Sequence, residues 1–502
     1  MGPQGAAPQR RGAHAARRTG WREPRRAKST AGGIGLSLLG ALVPGAGLLW
    51  CRRWIGLLLF VPTLGGAAVA VVRLHDLHAL ISFAVDPARL RTAAGIVAAC
   101  TGIWMTSVVA TYVLARPTGS RRGASWVGAT AVVALCLGLA APGFVATRYA
   151  LVQADLVSSV FEHNATATSP RHVTKENPWG DQRHVSVLLL GGDGGVGRIG
   201  VRTDSVILMR MDTHTGNTVM LSLPRNLMNA QFPDDSPLHA LYPEGFSGEG
   251  DPGNWMLNAI YGQVPALHPG ILGASDNEGA DAIKQAVAGS LGVPVDYYIL
   301  VNLRGFQRIV DAMGGVTVNI NERVAVGGST SKGIPPDSWL EPGPDQHLDG
   351  YHALWFSRGR YGSDDYQRML RQRCMIKALI DEARPVTLVR RYVALAAAGK
   401  EVVRSDIPAA LLPSFVDLGL LVKDARLRSI AFVSSPDFVP GDPDFEWLRA
   451  AVQRALKRPD RPHHAPSSPA SSGVPTTAPH PALPGEESPV EVASSCGYHP
   501  TG

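Results

Sequence analysis

Cysteine is scarce in this 502-residue chain, with five in all. Cys51, Cys100 and Cys136 fall in or beside long apolar stretches, which leaves Cys374 and Cys496 elsewhere. No pair has metal-ligand spacing, so nothing points to a thiolate metal site. The two could pair, but Cys374 sits at a helical position and Cys496 in a stretch poor in large apolar groups, so two unpaired thiols are the preferred reading. Internal repeats are lacking too. So is a charge excess over most of the chain. The formal net charge is +7, but residues 1–28 carry eight Lys/Arg against the single acid Glu23. That arm accounts for the whole excess, which removes the main reason to expect a nucleic-acid partner. Residues 458–502 have few large apolar side chains and are rich in Pro, Ser, Ala and His. Such a composition cannot bury enough surface to offset ordering entropy, so a disordered tail is expected there.

Long apolar runs are present, and they are concentrated near the N-terminus. A bilayer span needs about 20 apolar residues. "AAGIVAACTGIWMTSVVATYVLA" (93–115) and "VGATAVVALCLGLAAPGFVAT" (127–147) meet that length, and "WIGLLLFVPTLGGAAVAVV" (54–72) is a third candidate. "GIGLSLLGALVPGAGLLW" (33–50) is interrupted by Pro44-Gly45. Basic flanks belong on the cytoplasmic side. The arm 1–32, Arg52-Arg53 and the loop "RPTGSRRG" (116–123) all satisfy this with three crossings, at 54–73, 92–115 and 125–147, and a re-entrant segment at 33–50. The chain is then a multi-pass cell-membrane protein with everything after about residue 150 outside the cytoplasm. A linker is expected at 151–182. A removable signal peptide is not expected, because several spans follow.

Residues 183–457 read as one α/β domain. "VSVLLLGGD" (185–193), "DSVILMRMD" (204–212), "NTVMLSLPRN" (217–226), "VDYYILVN" (295–302) and "VTVNI" (316–320) have the apolar, β-branched character of strands. "DAIKQAVAGSLGV" (281–293) and "LRGFQRIVDAMGG" (303–315) are helical, the second closed by glycines. "THTGN" reads as a hairpin turn. Antiparallel pairing around it puts Asp204 and Arg225 at the same end, and the connection from Asp193 back to Asp204 is short. Asp193, Arg202, Asp204 and Arg225 are therefore expected at one sheet edge.

A second cluster lies in "ALWFSRGRYGSDDYQRMLRQR" (353–373), with Arg358, Arg360, Arg368, Arg371 and Arg373 beside Asp364 and Asp365. Ser363 or Asp364 can cap a helix running to about Arg384, where Pro385 stops it. On that helix Arg368, Arg371 and Gln372 share a face. Arg358 and Arg360 are read as alternating on a preceding strand. A solvated face would be served equally well by lysine. The planar guanidinium fork suits bidentate phosphate contacts. A pyrophosphate facing the arginines, with Mg²⁺ (or Mn²⁺) on two carboxylates, accounts for both clusters.

In order along the chain, "LLLGGD", "VRTDSVILMRMD", "LSLPRN", "VDYYILVNLRGFQRIVDAMGGVTVNI", "LDGYHALWFSRGR" and "DDYQRMLRQR" resemble the LytR-CpsA-Psr family. The resemblance covers nearly all of 183–457. Any one motif is weak; six in register are specific. "LLGALVPGAGLLWCRRWIGLLL" and "RMLRQRC" look like the actinobacterial type.

The resemblance implies an α-β-α sandwich with a mixed central sheet, preceded by transmembrane helices and enclosing an apolar lipid tunnel. It implies a membrane-anchored phosphotransferase that moves an anionic glycopolymer from a polyprenyl-pyrophosphate-linked glycan to peptidoglycan, at the muramic acid 6-hydroxyl. It places Asp193 and Asp204 on the metal and gives Arg202, Arg225, Arg358, Arg360, Asp365 and Arg368 to the reacting group. Arg371, Gln372 and Asn258 go to substrate binding. Which group deprotonates the acceptor stays open, Asp365 being one choice. Two positions depart from the family: Asn226 replaces an aspartate and Met256 a lysine. Two other readings use the same residues: a polyprenyl-pyrophosphate pyrophosphatase, and a non-catalytic lipid-binding membrane regulator.

Overall fold

The structure is a computed structural model, and it describes residues 25–51, 53–73, 83–84, 86–117, 122–162, 168–170, 173–174, 177–180, 182–192, 202–329, 333–383, 395, 398, 403–457 and 490–499. The chain divides into two compact units, Met1–Asp76 with Ala93–Arg148, and Leu77–Thr92 with Tyr149–Gly502.

The first unit is helical. Helix α1 (Thr30–Leu42) starts at Ser29, whose hydroxyl accepts from the Gly32 amide. It is followed by α2 (Ala46–Trp50), α3 (Ile55–Arg73), and parts of α4 (Pro87–Ala115) and α5 (Arg122–Val160). Gly45 between α1 and α2 has φ +84, and a Cβ there would meet the Gly56 carbonyl oxygen at 2.2 Å. Only glycine allows that turn and that approach. By length and composition α4 and α5 can cross a bilayer. The apolar part of α3 whose side chains are described, Ile55–Gly66, is shorter than a span. The described residues thus contain two such helices where the sequence suggests three crossings.

The second unit is built on an eight-stranded mixed sheet. Its strands are β1 (Phe161–Glu162), β2 (His184–Gly192), β3 (Thr203–Asp212), β4 (Thr218–Leu223), β5 (Tyr297–Asn302), β10 (Val403–Pro408), β11 (Leu427–Ala431) and β12 (Val490–Glu491). They lie in the order β1-β10-β5-β2-β3-β4-β11-β12. Strands β2, β3 and β4 are successively antiparallel, β5 joins β2 in parallel, and β11 joins β4 in parallel. Small ribbons pair β6 (Val316–Ile320) with β9 (Gly343–Leu348), and β7 (Val324–Val326) with β8 (Ser338–Leu340).

Successive strand residues point to opposite faces, and this divides the unit into layers. Leu188, Leu190, Val206, Leu208 and Leu221 form a dense core with α8 (Glu278–Leu291) and α13 (Phe445–Lys457). The remaining helices of this side are α6 (Pro237–Leu241) and α7 (Ile260–Leu267). The other face turns toward α9 (Leu303–Met313), α10 (Gly350–Arg358) and α11 (Asp365–Glu382), with α12 (Leu412–Asp424) packed nearer the β10 edge. The result is an α-β-α sandwich. A buried Lys284 on α8 is held by Asp406 on β10 and by the Asp296 carbonyl, and it also donates to Thr168. That network ties the segment after β1 into the domain.

Three expectations are corrected. First, residues 151–160 are not linker: α5 continues to Val160 because Ala154, Val157 and Val160 recur every third residue and are all buried. Second, "GYHALWFSR" is the helix α10, not a strand. Asp349 caps it by accepting from the His352 amide at 2.9 Å, and Ala353, Leu354 and Phe356 turn inward. Third, Cys374 and Cys496 are disulfide-bonded, with Cα atoms 5.5 Å apart. Within the expected tail, Val490–Glu491 pair with β11 and Val492 is fully buried at the start of α14 (Val492–Ser495). Asn319 and Asn321 donate to the Cys496 and Gly497 carbonyls at 3.0 and 3.1 Å. A compositional argument weighs apolar surface alone and overlooks a covalent tether.

Candidate functional site

The β3–β4 hairpin does what its turn requires. Val206 pairs with Leu223, so Asp204 and Arg225 emerge together. The Arg225 Nη1 donates to Asp204 Oδ1 at 2.6 Å. Behind Arg225, its carbonyl accepts from the Asn258 amide at 3.0 Å. Asn258 is a buried backing residue, and its Oδ1 has no hydrogen-bond partner.

The second cluster arrives on α10 and α11. Asp364 caps α11 by accepting from the Gln367 amide at 2.8 Å. One turn on, Arg368 is 2% exposed, so its guanidinium must be answered by charge. Asp365 answers it: Arg368 Nη2 donates to Oδ2 at 3.0 Å, and Nη1 lies 2.9 Å from Oδ1. The Arg368 Nε is buried and has no partner in the protein. Gln372 donates to Ser205 at 2.8 Å and to the Ser357 carbonyl at 3.3 Å, linking α11 to β3 and α10.

These groups close one end of a cavity of about 580 Å³. Its apolar wall comes from the sheet through Leu189, Ile207 and Ile299, and from the helices through Phe306, Ile376 and Leu379. Its polar end carries Asp204, Arg225, Arg358, Arg360, Arg368 and Gln372. Near that end the sheet is kept thin: a Cβ on Gly191 would come within 3.0 Å of the Ser205 Cβ.

The electrostatics follow from this crowding. Burial lowers the Arg360 pKa, the positive charges of Arg225 and Arg358 lower it further, and Asp204 and Asp365 oppose them. Burial raises the Asp365 carboxyl above its ordinary value, partly offset by Arg360 and Arg225, while Asp204 and Asp364 push it the same way as burial. Guanidiniums and carboxylates share one partly desolvated space, where charge interactions are stronger than in water.

Two predicted residues stand apart. Arg371 turns away from the cavity and donates to the Phe356 carbonyl at 2.8 Å, to the Gly359 carbonyl and to Ser363 Oγ. It satisfies carbonyls left open at the end of α10 and so fixes the turn that carries Arg358 and Arg360. Burial draws its pKa down to about 10. Arg202 is exposed ahead of β3 and donates to Asn254 Oδ1 at 3.2 Å. Asp193 lies outside the described residues.

Among the described residues no group of three or more His, Cys, Asp or Glu forms a metal cluster. Among the described residues Asp204 is the carboxylate that lines the polar end, and Asp365 stands behind it, held by Arg368. The family resemblance implies an apolar tunnel, but the residues that line it were not named from the sequence. Their signal was the strand alternation itself, since residues 189, 207 and 299 stand in one register on the same face.

The LytR_cpsA_psr family model matches residues 150–440. A polyisoprenyl-teichoic acid--peptidoglycan teichoic acid transferase TagU of Oceanobacillus iheyensis is 30% identical over 203 residues, which are 39% of this chain and 51% of that protein. The cell wall biosynthesis protein LcpA of Corynebacterium glutamicum is 25% identical over 219 residues, 41% of this chain and 37% of that one. A crystal structure of TagV from B. subtilis is 22% identical and covers 55% of this chain and 97% of its own, with a TM-score of 0.38. This chain spans between 51% and 65% of the first three curated relatives' lengths.

Proposed function

Because the chain belongs to the LytR_cpsA_psr family, we propose that it transfers an anionic cell-wall glycopolymer from a polyprenyl-pyrophosphate carrier to peptidoglycan. The observation that carries this reading is the cavity. An apolar channel ending in four guanidiniums fits an amphiphile with a long hydrocarbon chain and a multiply charged phosphate head. The buried, unpartnered Arg368 Nε is a donor at that junction.

In the proposed reaction a hydroxyl of the acceptor, the muramic acid 6-hydroxyl, attacks the phosphorus that bears the sugar. The bridging phosphorus–oxygen bond breaks, a phosphodiester forms, and polyprenyl phosphate leaves. Arg225, Arg358, Arg360 and Arg368 stabilise charge on the transferring group and the leaving phosphate. Asp365, whose pKa burial raises, takes the acceptor proton. Gln372 and Arg371 position the polar end. Asn258 backs Arg225, and Arg202 stands exposed ahead of β3, outside the cavity lining. Asp193 and Asp204 would hold Mg²⁺ or Mn²⁺. Such ions are bound through one or two carboxylates plus substrate phosphates, and the Asp204 carboxylate at the polar end is a hard oxygen donor of that kind. Bound, the ion would neutralise phosphate charge. The catalytic domain would face outward from the membrane.

The test is the purified full chain in detergent micelles, given a polyprenyl-pyrophosphate-linked glycan and a peptidoglycan fragment. A phosphodiester-linked product with equimolar polyprenyl phosphate is expected, absent in Arg360→Ala. Lipid phosphate release without transfer would mean hydrolysis, and binding without release would mean a non-catalytic binder.

A further inference from the structure

Beyond Arg360 the cavity wall becomes aromatic. Tyr361 lines it, and Trp339 packs against Tyr361 from outside the lining, the two rings at 79° with centroids 6.2 Å apart. Two rings at right angles make a corner. The Arg323 guanidinium lies 3.9 Å from the Trp339 ring centroid and braces the indole. Trp339 is on a strand: its neighbour pair is Ala325 of β7, and the adjacent Leu340 is anchored in an apolar cluster with Val324 and Phe356. The corner is therefore a fixed part of the fold.

Neither end of the amphiphile needs this corner. The hydrocarbon chain has Leu189, Ile207 and Phe306, and the pyrophosphate has the arginines around Arg360. What leaves the pyrophosphate on the side away from the hydrocarbon is a sugar. A pyranose offers an apolar face of C–H groups and a rim of hydroxyls. Aromatic rings match the first, and guanidinium N–H groups and the tyrosyl hydroxyl match the second.

We propose that Trp339 and Tyr361, braced by Arg323, form a saccharide subsite that holds the first sugar of the carrier-linked glycan beside the pyrophosphate grip. This rests on the transfer reading above. It makes the β7–β8 ribbon a specificity element: it distinguishes a glycosylated lipid pyrophosphate from a bare one.

The test compares two probes on the full chain in detergent micelles: geranylgeranyl pyrophosphate, and the same lipid pyrophosphate carrying one N-acetylglucosamine. The wild-type chain is expected to bind the glycosylated probe more tightly. Trp339→Ala should weaken that probe about tenfold, the scale of losing one ring contact, and leave the bare probe within about twofold. Trp339→Phe, which keeps a ring, should recover most of the loss. Retained binding of the bare probe shows that the variant is folded. Equal wild-type affinity for the two probes, or equal loss of both in Trp339→Ala, overturns the subsite and leaves the transfer reading standing. A Trp339→Ala effect confined to the KM of the peptidoglycan acceptor overturns it in favour of an acceptor contact. Failure of the wild type to bind either probe overturns the transfer reading and the subsite with it.

Discussion

Arg368 is the most constrained side chain at the site. It is buried, paired with Asp365, and its Nε has no partner. A lysine there would retain charge but lose the fork that reaches Asp365 and the cavity together. Arg368→Lys is expected to lower kcat by roughly 10²–10³, the range for removing one preorganised donor at developing charge, measured by lipid phosphate release with the melting curve as a check on folding. Asp365 gives a pH prediction. Burial raises its pKa, so as proton acceptor it is lost to protonation at a higher pH than an ordinary carboxylate. The rate should fall on the acid side with a midpoint above that of a solvated aspartate, and Asp365→Asn should flatten that limb along with the rate. A midpoint at the ordinary carboxylate value would remove Asp365 from the role. The two family departures, Asn226 and Met256, are explained by nothing in the structure.

At the level of elements, α11 is the member through which the site is organised. It supplies Arg368 and Gln372 to the cavity and Arg371 to the end of α10, and its Cys374 is bonded to the C-terminal segment. Removing the bond by Cys496→Ser is expected to lower stability by about 2–5 kcal/mol, given the 122-residue separation of the two cysteines. Thermal melts with and without reductant check this, since reductant should affect the parent chain alone. The sheet was legible because its strands are continuous apolar runs, and the Asp204–Arg225 pair because a hairpin turn fixes which ends meet. Helix α10 was misread because Arg358 and Arg360 flank a glycine and mimic alternation, although Asp349 three residues before His352 carried the capping signal. The Cys374–Cys496 bond was not legible, because partners so far apart in sequence are chosen by tertiary structure. Arg371 shares a helix face with Arg368 by spacing, yet the open carbonyls of α10 claim it. Only the neighbouring helix reveals that.

At the scale of the whole molecule, two helices among the described residues are long and apolar enough to cross a bilayer, and one of them, α5, runs on to Val160 in the sheet unit. The proposed orientation makes a direct prediction. A cysteine introduced at exposed Glu244 should react with a membrane-impermeant maleimide on intact cells, and one introduced at Gln4 only after permeabilisation. The reverse pattern would place the cavity inside the cell and end the wall-transfer reading. The rest of the architecture is consistent at every level: strand alternation separates a filled core from a hollow one, and the arginines stand where the hollow side opens.

The covalent closure between α11 and the last described segment has a consequence for handling the protein. A proteolytic cut anywhere between Lys457 and Val490 would divide the polypeptide without releasing the downstream piece, because that piece stays stapled through Cys496. On a denaturing gel such a nicked sample would run as a single species until reductant is added, and only then as two.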